Sequence, residues 1–153
     1  MHESLTHIDD KGQVSMVDVS KKKTLHRTAV ARGYFVARSE TLDAIMNNDL
    51  PKGEGLAVAR IAGIQAAKQC SMLIPLCHPL QIECVDINFE RVSENRLEIR
   101  ATTIVHGRTG VEMESLTAVS IAALALWDMA KAIDSDLAIE NITLVEKLKK
   151  PIT

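Results

Sequence analysis

The sequence predicts an α+β fold: one antiparallel sheet with its helices packed on a single face. Three observations predict it. Residues 80–91 and 96–106 alternate apolar and polar side chains, and Ser93-Glu94-Asn95 between them has turn chemistry, so the two runs read as a hairpin. Residues 111–134 carry the strongest helical pattern, apolar on all sides from Ile121 to Trp127. Residues 24–38 are rich in small, β-branched and aromatic side chains and carry no helix signals, which predicts a long strand with an irregularity at Gly33.

The elements follow in order. Residues 1–23 are polar, end in Lys21-Lys22-Lys23, and are expected to form a mobile arm with a solvated lysine run. After the first strand, Ser39 is placed to cap a short helix whose Leu42, Ile45 and Met46 share a face. Asn47-Asn48-Asp49 and Pro51 end it, and Pro51-Lys52-Gly53-Glu54-Gly55 is a loop. From Leu56 to Cys70 a narrow stripe of Leu56, Ala59, Ala62, Gly63, Ala66 and Ala67 predicts a helix pressed closely against a neighbour. Pro75 and Pro79 exclude a regular helix over 71–79 and fix an extended turn.

In the hairpin, Val85, Ile87 and Phe89 face one way, as do Leu97, Ile99, Ala101, Thr103 and Val105. His106 to Gly110 is a glycine-bounded loop, Asp134-Ser135-Asp136 ends the long helix, and residues 137–146 read as a last strand, with a frayed tail over 148–153. The order β, two helices, β, β, helix, β is the split βαβ, ferredoxin-like arrangement with an extra helix after the first. A sheet covers a helix on one side only, so the all-round apolar stretch predicts a subunit interface as well.

The composition bounds the function. The 153 residues, 46% hydrophobic and 25% charged, fit a single globular domain. A net charge of −2 and 3% aromatic residues are poor equipment for binding nucleic acid. The longest uninterrupted apolar run is seven residues, against ~20 for a membrane helix. The segment MHESLTHIDD lacks the basic stretch and apolar core of a secretion signal, and Cys70, Cys77 and Cys84 form no C-x-x-C pair. A reducing cytoplasm is the expected location.

Four places put ionisable groups beside helix ends or glycine loops. Lys52 sits among Gly53 and Gly55, where an ammonium and an open backbone can meet a phosphate, although a solvated loop lysine looks the same. Cys77-His78 is locked between Pro75 and Pro79, which orients the imidazole for chemistry or for one structural hydrogen bond. Glu112 and Glu114, flanking Met113, open the long helix. Acids favour that helix end for its dipole alone, and a spacing of two points them to different sides. Asp128 and Lys131 share one face of the same helix, as an ion pair or as a proton-transfer pair. No metal-ligand spacing is present.

Taken together, the runs HIDDKGQVSMVDVS (7–20), RSETLDAI (38–45), ARIAGIQAAK (59–68), LIPLCHPL (73–80), GRTGVEMESLTAVSIAAL (107–124) and WDMAKA (127–132) resemble the molybdenum cofactor biosynthesis protein C family over residues 4–147. The resemblance implies a ferredoxin-like fold and a homohexamer built as a trimer of dimers with active sites at the dimer interface. It implies a lyase that rearranges 3′,8-cyclo-7,8-dihydro-GTP, supplied by an upstream radical SAM enzyme, into cyclic pyranopterin monophosphate and diphosphate. No resident cofactor is implied, and Mg²⁺ would accompany only the diphosphate. By the same resemblance Asp128, Lys131 and Lys52 are catalytic. Leu76, Cys77, His78, Glu112, Met113 and Glu114 bind substrate, and Lys147 matches a family lysine. Lys68 and Arg108 are further candidate cations for a triphosphate. The tail Leu148 to Thr153 departs from the Gly/Ser/Lys-rich tail of many members. Read without the resemblance, the same residues fit a ligand-binding ferredoxin-like module or a nucleotide phosphatase.

Overall fold

A computed structural model describes residues 7–153. The chain forms β1 (Leu25–Val36), α1 (Ser39–Met46), α2 (Gly55–Lys68), α3 (Cys70–Leu73), β2 (Cys84–Ser93), β3 (Arg96–Gly107), α4 (Glu112–Ala130) and β4 (Ala138–Lys150). The four strands make one antiparallel sheet in the order β2-β3-β1-β4. That order, with α2 and α4 on one face, is the expected α+β arrangement.

The hairpin alternation sets which face is covered. Ile87, Leu97, Ile99, Ala101 and Val105 are buried beneath the helices. The opposite face carries Arg32, Tyr34 and Arg96, with both guanidinium groups stacked on the Tyr34 ring. The irregularity expected at Gly33 is a register shift of β1 against β4 between Arg32 and Tyr34.

The small-residue stripe of α2 packs on α4. A Cβ on Gly63 would lie 2.8 Å from the Ala118 carbonyl oxygen and would overlap Ile87, so only glycine permits this crossing. α2 therefore covers the second side of α4, and the all-round apolar character is mostly met within one chain. Leu124 and Trp127 remain exposed. By length and composition α4 could span a bilayer, but here it is a core helix between the sheet and α2.

Five features differ from expectation. α1 begins after Arg38, which is extended. Ser39 makes no cap and instead accepts from Arg91 through Oγ at 2.9 Å. Residues 70–73 form the short α3 inside the stretch expected to be wholly extended. β2 starts at Cys84 rather than 80, and α4 ends at Ala130, followed by a turn to Ile133. β4 continues to Lys150, because Leu148, Lys149 and Lys150 pair with Thr28, Arg27 and His26. The tail expected from 148 is thus partly strand.

Candidate active site

The loop entering α4, the turn before β2 and the segment before β1 enclose a cavity of about 520 Å³. Leu76, Cys77, His78, Glu112, Met113 and Glu114, all expected to bind substrate, line it together with Val17, Val19 and Lys22. The wall from residues 7–23 was missed in the sequence, where this stretch reads as an arm. Residues 1–6 of that arm lie outside the described residues. The missed contact runs through backbone: His78 Nε2 donates to the Val17 carbonyl at 2.7 Å. A carbonyl only accepts, so this bond fixes the proton on Nε2 and leaves Nδ1 to a ligand.

The two carboxylates serve this one cavity, contrary to the expected divergence. Both residues lie in the first turn of α4, and it is the course of the Glu112 side chain, not the helical angle, that brings its carboxylate to the same cavity. A Cβ on Gly110 would collide with the Glu112 carboxylate, which folds back into that space.

Their environments differ. Burial would raise Glu112, but the ion pair with Lys147, its own backbone N–H and the nearby Arg27 outweigh it and hold the group below its ordinary value. Glu114 is 3% exposed and has no salt-bridge partner among the described residues. Burial, helped by the charge of Glu112, pushes it up to about 7. One carboxyl stays ionised, while its neighbour can hold a proton near neutrality. Burial, with Cys70 and Glu114 nearby, also pushes the Cys77 thiol up to about 11, so it is a neutral lining group rather than a nucleophile.

The second group lies at the other end of α4. The turn Leu50 to Gly53, closed by a bond from the Gly53 N–H to the Leu50 carbonyl, places Pro51 second and Lys52 third. Gly53 has φ +99°, which other residues rarely adopt. Lys52 Nζ donates to the Asp128 carbonyl and to Oδ2, both at 3.0 Å. Lys131 Nζ lies 2.6 Å from Asp128 Oδ1. Hydrogen bonds from Lys131 and then Lys52 hold Asp128 down to about 2, so it is a fixed anion between two ammonium groups and not a proton donor.

Within one chain these two groups do not meet. From Glu114 to Asp128 the helix rises about 21 Å, at 1.5 Å per residue. Lys68 and Arg108 do not line the cavity. Lys147 reaches it through Glu112, from within β4 rather than beyond it.

Comparison with known proteins gives the family. The model of the MoaC family matches residues 16–149. A cyclic pyranopterin monophosphate synthase of Novosphingobium aromaticivorans is 54% identical over 94% of this chain and 90% of its own. Proteins of the same name from Desulfitobacterium hafniense and Clostridium perfringens are 52% and 51% identical, over 94% and 97% of this chain and 88% and 94% of theirs. The matched span contains both ends of α4, the proline-locked turn and the lysine loop, and the chain belongs to the MoaC family.

Proposed function

We propose that this protein is a cyclic pyranopterin monophosphate synthase, a lyase of molybdenum cofactor biosynthesis. It takes 3′,8-cyclo-7,8-dihydro-GTP from a radical SAM enzyme and releases cyclic pyranopterin monophosphate and diphosphate. The observation that carries the reading is a carboxylate-lined cavity at the start of α4 and a Lys–Asp–Lys cluster at its end, in a chain of this family.

The chemistry divides between the two groups. The ionised Glu112 accepts N–H bonds from the heterocycle, and Glu114 holds or returns a proton as the ring opens and recloses. Lys131 supplies protons and Lys52 neutralises phosphate, with the Asp128 anion fixing both amines in place. In the closing step a sugar hydroxyl attacks the α-phosphorus and loses its proton. The bond to the β-phosphate oxygen breaks, and diphosphate leaves with the charge that the lysines neutralise. Mg²⁺ accompanies the diphosphate, and no resident cofactor is required.

Joining two groups about 21 Å apart on a rigid helix takes a second copy of the chain. The reading therefore includes centres shared between copies, in a homohexamer built as a trimer of dimers and working in the cytoplasm. Supplying the cyclised nucleotide tests it: a fluorescent pterin after oxidation and one diphosphate per turnover are expected, with no turnover of GTP alone. Metal-dependent phosphate release from GTP would instead make the protein a phosphatase. Binding without turnover would make it a sensor module. A well-folded monomer at micromolar concentration in light scattering would overturn the shared centre.

A further inference from the structure

A second cluster of ionisable groups lies on the open face of the sheet, away from the cavity. His26 on β1 and His106 on β3 are register partners, so their side chains leave the sheet side by side. His26 Nδ1 and His106 Nε2 are 3.2 Å apart, with the rings edge-to-face at 5.0 Å between centroids. Glu83, just before β2, is anchored by its N–H to the Ile104 carbonyl at 3.0 Å and sets its Oε1 2.6 Å from His106 Nδ1. A carboxylate accepts, so His106 Nδ1 carries a proton, and in the neutral ring Nε2 turns a lone pair toward His26.

Two imidazole nitrogens this close are joined either by an N–H···N hydrogen bond or by a metal ion in the proton's place. Nitrogens bound at 2.0–2.1 Å around a tetrahedral zinc ion stand about 3.3 Å from each other, close to the separation here. Glu83 occupies the place of the outer carboxylate that commonly orients a metal-binding histidine and fixes its tautomer.

We propose that His26 and His106 form a two-imidazole site for a divalent transition-metal ion such as Zn²⁺, with Glu83 as the positioning residue for His106. Among the described residues no set of three or more His, Cys, Asp or Glu side chains converges on one ion. Water therefore completes the coordination. The surrounding charges oppose each other: the Glu83 carboxylate favours the cation, and Lys150, the register partner of His26 on β4, disfavours it. Thr28 lies 3.5 Å from His26 Nε2, and Cys84, level with Ile104, is the nearest thiol by register on this face.

The bound ion would clip β1 to β3 where the chain leaves the sheet for the cavity. His106 precedes Gly107, and the Arg27 guanidinium, next to His26, donates to the Gly107 and Arg108 carbonyls at 3.0 and 3.2 Å. The clip thus stiffens the base of the 107–110 loop, whose Thr109 and Gly110 line the cavity. This role is separate from the proposed reaction and does not depend on it.

The test is calorimetric titration of the chelator-stripped full chain with Zn²⁺ at pH 7.5, beside ¹⁵N spectra of the imidazoles. One ion per chain is expected, with the largest shifts at His26 Nδ1 and His106 Nε2. His26→Ala and His106→Ala should each abolish this uptake, and Glu83→Gln should weaken it about 10-fold. Lys150→Ala should tighten it a few-fold by removing a like charge, an effect that misfolding cannot imitate. Uptake unchanged in His26→Ala or His106→Ala, which would place the ion at the cavity's own Cys77 and His78, overturns the proposal. So does wild-type protein that takes up no zinc and shows only a proton shared between the rings.

Discussion

Glu114 makes the stability of this protein depend on pH in a defined direction. Its carboxyl rises from an ordinary 4.5 when unfolded to about 7 when folded, because burial disfavours the charge and Glu112 repels it. The folded chain therefore holds this proton over a pH range in which the unfolded chain has lost it. For a raised carboxyl, stability falls as pH rises through that window, from about 4.5 to about 7, and is flat above it. A displacement of roughly two and a half pH steps corresponds to about 3 kcal/mol. Glu114→Gln keeps the shape and removes the titration. Urea unfolding at fixed protein concentration, from pH 4.5 to 7.5, should show wild type losing about 3 kcal/mol relative to the variant, with the difference cancelling every other titrating group. Parallel stability curves for the two proteins would refute the reasoning.

Three further outcomes are expected. Lys131→Ala should lower kcat by about 10²- to 10⁴-fold with circular dichroism unchanged, since the side chain is 57% exposed and contributes no packing. Gly63→Ala should cost roughly 1–3 kcal/mol in denaturant unfolding, because the Ile87 side chain and the Ala118 backbone must both give way. The buried Asp134 accepts from the Arg38 N–H, the Thr41 hydroxyl and the Asp136 N–H. Burial works against its charge, yet these bonds and the Arg38 guanidinium hold it below its ordinary value. Its contribution is present above the ordinary carboxylate range and is lost as pH falls through the folded value, so Asp134→Asn should lack part of the acid unfolding limb seen in wild type.

The sheet was legible because alternation survives wherever one face is buried: Val85, Ile87 and Phe89 against Thr103, Ala101 and Ile99 leave little choice of register. β4 was read short because its last residues are mostly lysines. Lys147 points toward Glu112 rather than into an apolar core, so hydrophobicity could not reveal the strand. The six substrate-binding residues inferred from the family resemblance do share one cavity. The wall from Val17 was hidden, since it acts through a carbonyl that every residue possesses. The joint placement of Glu112 and Glu114 was hidden too, because it depends on the Glu112 side chain folding back into the space that Gly110 leaves open. Asp134 read only as a helix terminator, and nothing in its neighbours announced the Arg38 and Thr41 contacts arriving from nearly a hundred positions earlier.

The length of α4 has a genetic consequence. In the shared centres proposed above, one stiff rod keeps the amine cluster and the carboxylate cavity at opposite ends, so each copy gives a different half of itself to each of two centres. An allele damaged at Lys131 and another damaged at Glu114 would each be inactive alone. Expressed together, their mixed assemblies would contain some centres that are whole and others doubly broken, so the two defects would complement in trans, whereas two lesions at the same end would not. The pattern of rescue among paired alleles would then trace the helix without any structure at all.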